Sequence, residues 1–179
     1  MERAAVPGMN REQRLNRWIE DYSDPILRTC FLYLSDHSQA EDATQDTWIK
    51  AWIKAWKHMD DFEKKNIANE KAWLLRIAIN TCKDYRRTAW FRHIDRSKAL
   101  DELPQRLIAA EPEDRTLTMT VMELPDRYKQ VILLYYFQGL TMQETADALD
   151  VSQATVHRRL EKAEELLRGS LTGGAAYEG

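Results

Sequence analysis

Turn-forming residues are scarce in this chain, which has only 6 glycines and 5 prolines among 179 residues. A β-rich fold needs frequent tight turns, so the shortage points to long helices. Cysteine is rarer still. Cys30 and Cys82 stand far apart, with no metal-ligand spacing, and both sit in apolar helical contexts that suit buried thiols. Long hydrophobic runs are missing too: none approaches the ~18 residues that a membrane span needs. Residues 1–10 lack the basic-then-apolar pattern of a signal peptide. A soluble, cytoplasmic protein with no direct membrane insertion is the expectation. His37, His58, His93 and His157 are scattered, and there is no phosphate-cradling glycine loop or nucleophile elbow. These gaps argue against an enzyme, a metal site, a cofactor or a small-molecule substrate. Positive charge is not in excess either, since the formal net charge is −3, so any nucleic-acid contact must come from a local patch.

What is present is helical periodicity, with no convincing alternating strand. Helices are expected near 11–22, 24–35, 39–57, 71–88, 116–123, 125–137, 142–149 and 153–168. Between them, Pro104 and Pro112 interrupt the chain, and residues 93–123 carry seven acids against four Lys/Arg. That composition predicts a solvated linker over 93–115. The fold class expected is therefore all-α: two small helical domains, 10–92 and 116–168, joined by a flexible linker and followed by a disordered tail, 169–179.

The segment from Leu140 to Leu160, LTMQETADALDVSQATVHRRL, has the layout of a helix-turn-helix, whose second helix enters the DNA major groove. Val156, Leu160, Ala163 and Leu167 share one stripe and face the core. Ala154, Arg158 and Lys162 fall on the opposite face, flanked by Gln153, Thr155, His157 and Arg159. Ser152 is placed as the N-cap. Glu161 and Glu165 also point outwards and would repel phosphate, which confines the DNA-reading surface to the first turns of the helix.

A second basic face lies on helix 71–88. Leu74, Ile77, Ala78, Thr81 and Tyr85 form its inward stripe, and Arg76, Asn80, Lys83 and Arg87 stand opposite, with Trp73 flanking them. Six basic residues and one acid occur from Lys71 to Arg92, a net +5 inside an acidic protein. Cations beside an exposed aromatic suit a nucleic-acid strand, because the ring can stack on an unpaired base. A solvated basic face with Trp73 in the core is the alternative. Helix 39–57 carries Trp48, Trp52 and Trp56 at strict i+4 intervals, read as core, with Lys50, Lys54 and Lys57 on the solvent side. A mixed edge of Asp42, Asp46, Ile49 and Ile53 suits either a protein contact or a partly buried edge of the bundle.

In order and spacing these segments resemble the extracytoplasmic-function sigma factors, the smallest members of the bacterial sigma-70 family. The residues that carry the resemblance are Asp42-Ala-Thr-Gln-Asp-Thr-Trp48, Ala72-Trp-Leu-Leu-Arg-Ile-Ala-Ile-Asn80, Asp84-Tyr-Arg-Arg87, Leu124-Pro-Asp-Arg-Tyr and Gly139-Leu-Thr-Met-Gln-Glu-Thr-Ala. The resemblance implies two domains, sigma domain 2 and sigma domain 4, and a core RNA polymerase partner. The edge at Asp42, Gln45, Asp46, Trp48, Ile49 and Ile53 would dock on the β′ clamp helices, and domain 4 would rest on the β flap. Trp73, Arg76, Asn80, Lys83, Arg86 and Arg87 would bind and open the −10 element of promoter DNA. A loop spanning about Met59 to Asn69, together with Asn80, would hold a flipped base. Ser152, Gln153, Ala154, Thr155, His157, Arg158, Arg159 and Lys162 would read the −35 element. An anti-sigma factor is a further partner implied in the same way. Glu161, Glu164 and Ala154 depart from the family pattern. Two other classes compete: a stand-alone helix-turn-helix regulator, which would bind operator DNA tightly as a dimer, and an enzyme with a DNA-binding tail, for which no catalytic constellation is found.

Overall fold

The computed structural model describes residues 8–64, 69–87 and 112–175, and every regular element among them is a helix. Asn10 starts α1 (Arg11–Leu34) through a capping box. Its side chain accepts from the Gln13 amide (2.8 Å), and its own amide donates to the Gln13 side chain (3.1 Å). Ser35 ends the helix with a left-handed φ of 59° and an N–H bonded back to the Phe31 carbonyl (2.7 Å). The separate helices expected over 11–22 and 24–35 are one, with Pro25 inside it. An interior proline costs about 3 kcal/mol, yet Trp18 before it and Ile26, Cys30 and Phe31 after it are all buried in one core. A break would pull those groups apart, so burial outweighs the lost ladder bond.

Helix α2 (His37–Lys64) begins on Asp36, whose carboxylate accepts from the Gln39 amide (2.7 Å), and it outruns the expected 39–57. Its inward stripe consists of small residues, Ala40, Ala43, Thr47, Ala51 and Ala55. The tryptophans are therefore not the core stripe they were expected to be. Trp48 and Trp52 are half-buried, and Trp56 is 53% exposed with the Arg11 guanidinium 5.1 Å from its ring centre. Small side chains let α1 and α3 approach α2 closely, which leaves the indoles on the flanks. Helix α3 (Glu70–Arg86) completes this half; Asn69 caps it by accepting from the Ala72 amide (2.9 Å).

The second half contains α4 (Pro112–Glu123), α5 (Asp126–Ile132), α6 (Met142–Leu149) and α7 (Gln153–Ala175). A π-helical segment, Leu133–Phe137, prolongs α5, and the Gln138 amide reaches back to the Leu133 carbonyl (3.0 Å). Such a widened turn re-aims the residues that follow it. The linker expected over 93–115 lies outside the described residues as far as 111, and from Pro112 the chain is helical. The tail expected to be disordered from 169 is helical as far as Ala175, because extending a formed helix is far easier than nucleating one; residues 176–179 lie outside the described residues.

The two halves do not sit apart. Their buried apolar side chains form one continuous cluster. Gln138 donates to the Pro25 carbonyl (3.2 Å) and the Thr29 hydroxyl (3.0 Å). Gln130 donates to the Tyr33 hydroxyl (3.0 Å), and Lys129, fully buried, donates to the Tyr33 carbonyl (3.4 Å) at the C-terminal end of α1. The negative end of the helix dipole suits a cation there.

Candidate nucleic-acid interface

Helix α3 presents the face that its periodicity predicts. Leu74, Ile77, Ala78 and Thr81 are buried and Tyr85 half-buried, while Arg76, Asn80 and Arg87 are exposed and Lys83 half-buried. Leu75, Ile79 and Cys82 are buried as well, so the helix is embedded over a broader arc than one stripe. Trp73 is half-buried rather than exposed. It packs on the fully buried Trp18, ring centres 5.5 Å apart at 50°, which takes it away from the role of a free stacking platform.

The second half of the molecule lies directly against this face. Arg76 donates to the Asp147 carbonyl (2.9 Å), Lys71 to the Gln138 carbonyl (2.8 Å), and Arg86 to the Asp126 carboxylate (2.6 Å). Asn69, the cap of α3, donates to Glu144 (2.6 Å). Glu144 also closes the capping box of α6, accepting from the Thr141 amide (2.8 Å) while the Thr141 hydroxyl accepts from its own amide (3.1 Å). Burial alone would raise the Glu144 pKa, but the bonds from Asn69 and Thr141 outweigh it and hold the carboxyl below its ordinary value. Burial depresses the Lys83 pKa, and the nearby cations Arg159, Arg87 and Arg76 add to the effect. Cations from both expected DNA faces thus converge at this edge. Between α3 and α6 runs a cleft of about 390 Å³, lined by Asn69, Ala72, Trp73, Arg76, Gln143 and Glu144 among others.

The helix-turn-helix is α6, a tight turn, and α7. Asp150 makes the turn with a left-handed φ of 55°, a conformation its short polar side chain tolerates, and the Val151 amide bonds to the Ala146 carbonyl (3.0 Å). Ser152 caps α7, its hydroxyl accepting from the Thr155 amide (3.1 Å) and bonding the Thr155 hydroxyl (3.0 Å). Val156, Leu160 and Ala163 are buried and Leu167 half-buried. On the outer side Ser152, Gln153, Ala154, His157, Arg158 and Lys162 are exposed, and Thr155 and Arg159 are half-buried. The acids have partners of their own: Glu161 lies 3.4 Å from His157, Glu165 pairs with Lys162 (2.9 Å), and Glu164 accepts from the Tyr136 hydroxyl (2.5 Å). Glu164 therefore holds the π segment to α7.

Along α2, Asp42, Gln45, Ile49 and Ile53 are exposed, with Ile49 at 58% and Ile53 at 46%; Asp46 and Trp48 are half-buried. Asp46 accepts from the Tyr85 hydroxyl (2.7 Å), which ties the edge to α3, and burial first, then this bond, pushes the Tyr85 pKa up. Lys50 is not simply on the solvent side: it donates to Thr81 (3.2 Å) and lies 3.5 Å from Asp84. The loop expected from Met59 to Asn69 is helical as far as Lys64, Asn69 is a helix cap, and residues 65–68 lie outside the described residues. Sequence periodicity missed the seam residues Tyr33, Asp126, Lys129, Gln130 and Gln138. Polar side chains inside an otherwise apolar helical run, Lys129-Gln-Val-Ile-Leu-Leu134, were the one available signal.

Comparison with known proteins matches residues 18–92 to Sigma-70 region 2 and residues 114–167 to Sigma-70, region 4. The chain is 28% identical over 169 residues to the ECF RNA polymerase sigma factor SigW of Bacillus subtilis (strain 168), covering 86% of each chain. Among solved structures it is similar to CnrH in complex with the cytosolic domain of CnrY, with a TM-score of 0.64 and 21% identity, covering 90% of each chain. It is also similar to the sigma factor RpoE in complex with the anti-sigma factor NepR from Bartonella quintana, with a TM-score of 0.64 and 23% identity, covering 89% of this chain and 97% of that one. These last two likenesses concern the fold.

Proposed function

This chain belongs to the extracytoplasmic-function group of the sigma-70 family, and from that premise we propose which of its surfaces carry the work of a sigma factor. A sigma factor binds core RNA polymerase and directs promoter-specific initiation of transcription. In our reading residues 10–92 form domain 2 and residues 116–168 form domain 4. The exposed edge Asp42, Gln45, Ile49 and Ile53, with Asp46 and Trp48 beside it, meets the β′ clamp helices. Arg76, Asn80, Lys83, Arg86 and Arg87, with Trp73 behind them, bind and open the −10 element. The exposed first turns of α7, from Ser152 to Lys162, enter the major groove at −35. The protein performs no catalysis itself and acts inside the bacterial cytoplasm. An anti-sigma factor binds it, as NepR binds the similar RpoE of Bartonella quintana.

The observation that carries this reading is a pair of basic helix faces of different kinds in one chain. One is a broad helix flank with Asn80 exposed at its centre; the other is a capped recognition helix behind a tight turn. Each is a weak DNA contact alone, and core polymerase would join them at fixed separation so that their affinities combine. A stand-alone regulator needs no second face and no apolar edge such as Ile49 and Ile53.

Run-off transcription from a matched promoter tests the reading, with core polymerase alone, with this protein, and with two variants. Specific initiation is expected only when the protein is added. Asn80→Ala should lose opening but keep core binding; Ile49→Asp should lose core binding. Tight operator binding by the free protein, with transcription unchanged, would sink the proposal.

A further inference from the structure

Seven large apolar side chains are exposed among the described residues, and three of them lie on one side of α2: Ile49 at 58%, Ile53 at 46% and Trp56 at 53%. Half-buried Trp52 stacks on Trp56, ring centres 5.3 Å apart and planes 28° from parallel. The four side chains thus form one unbroken stripe at i, i+3, i+4 and i+7. Apolar side chains exposed singly are ordinary, but a contiguous run with a polar rim marks a contact surface. The rim here is divided by charge. Asp42 continues the stripe at its N-terminal end; at ~100° per residue, Asp46, Lys54 and Lys57 run along one flank and the indoles along the other. The acids come first, Asp42 and Asp46, and the lysines after, Lys50, Lys54 and Lys57, with no acid from 47 to 57.

We propose that, in the absence of core polymerase, two copies of this chain pair through this stripe, their α2 helices antiparallel about a two-fold axis beside Lys50. Such an axis lays a surface on itself in reverse, so the charged flank of one copy meets the charged flank of the other. Asp46 and Lys54 stand four residues either side of position 50, and Asp42 and Lys57 eight and seven. Reversal therefore sets each acid opposite a lysine, twice over. A parallel arrangement would set acid against acid and lysine against lysine. The apolar middle closes in the same register, with Ile49 of each copy against Ile53 of the other. Burial of the stripe supplies the driving force, and the charges fix the register. A contact one helix long falls at the small end of specific interfaces, so the pairing is weak and reversible. The stripe includes Ile49 and Ile53, which the reading above gives to core polymerase. On that assignment the two partners exclude each other, and core draws off the monomer by mass action; the pairing itself stands without it.

Sedimentation equilibrium of the free protein tests this. Its average mass should climb toward twice the monomer's as concentration rises through about 10–100 µM. Ile53→Asp, at an exposed position, should hold it at the monomer. A wild type that stays monomeric throughout, or an Ile53→Asp variant that still pairs, overturns the proposal. The exposed pair Asp42 and Lys57 tests the antiparallel arrangement. Asp42→Lys and Lys57→Glu should each weaken pairing by about tenfold, since each creates two like-charge contacts in a symmetric dimer. Mixing the two variants should restore it, because the introduced lysine then meets the introduced glutamate, and the native lysine the native aspartate. A mixture that pairs no better than either variant alone overturns the arrangement. Core polymerase tests the docking assignment separately: if Ile53→Asp is monomeric yet binds core as the wild type does, that assignment falls and the self-pairing stands.

Discussion

Tyr33 shows how much a single side chain can organise here. It sits at the end of α1, fully buried, with Gln130 donating to its hydroxyl and the Lys129 ammonium 5.7 Å from its ring centre. Arg86 lies over the same ring at 5.8 Å. Burial pushes the phenol far above its ordinary pKa, so it stays neutral and hydrogen-bonds without adding charge to a seam already holding two cations. A buried hydroxyl left without its partner costs about 1–3 kcal/mol, while removing both partners costs less. Gln130→Ala should therefore destabilise the protein by about that amount. Tyr33→Phe and the double variant complete a cycle, expected to give a coupling of about 1 kcal/mol in urea denaturation. Strict additivity of the two changes would mean that the bond is not made in solution.

At the scale of the element, α7 depends on how it begins. Ser152 is both its cap and the first residue of its outer face, and two substitutions separate those roles. Ser152→Ala should cost about 1 kcal/mol, whereas Ser152→Asp should keep the stability within a few tenths, because aspartate caps equally well. The aspartate should nonetheless weaken −35 binding by holoenzyme, since it sets a negative charge beside phosphate. Thermal melting and promoter affinity read the two effects separately, and a fully stable Ser152→Ala would deny the cap. Elements of this kind were legible in the sequence. The helix-turn-helix, its inward stripe Val156–Leu160–Ala163 and the exposed Arg76–Asn80 flank of α3 all follow from local periodicity, which a single helix records in its own residues. What periodicity cannot record is a choice between partners. Trp48, Trp52 and Trp56 form as regular a stripe as any, but the alanines beside them allow closer helix packing, and so the alanines face inward. Pro25 reads as a helix end until the core on both sides of it is counted. Nothing near Arg86 in the chain announces its ion pair with Asp126, forty residues away.

For the molecule as a whole, the proposed function places two promoter faces in one chain, on α3 and on α7. Net charge fits that design: at −3 the protein as a whole gives little non-specific attraction to DNA, and in the free state its basic flank on α3 rests against carboxylate and carbonyl oxygens. Among the described residues no helix is long and apolar enough to cross a membrane. Site-specific photo-cross-linking in the assembled holoenzyme tests the central claim most directly, with one probe at Asn80 and another at Arg158 on a promoter of mapped start site. The Asn80 probe should label the −10 region and the Arg158 probe the −35 region, both only when core polymerase is present. Labelling of a single shared segment by both probes, or equal labelling by the free protein, would contradict it.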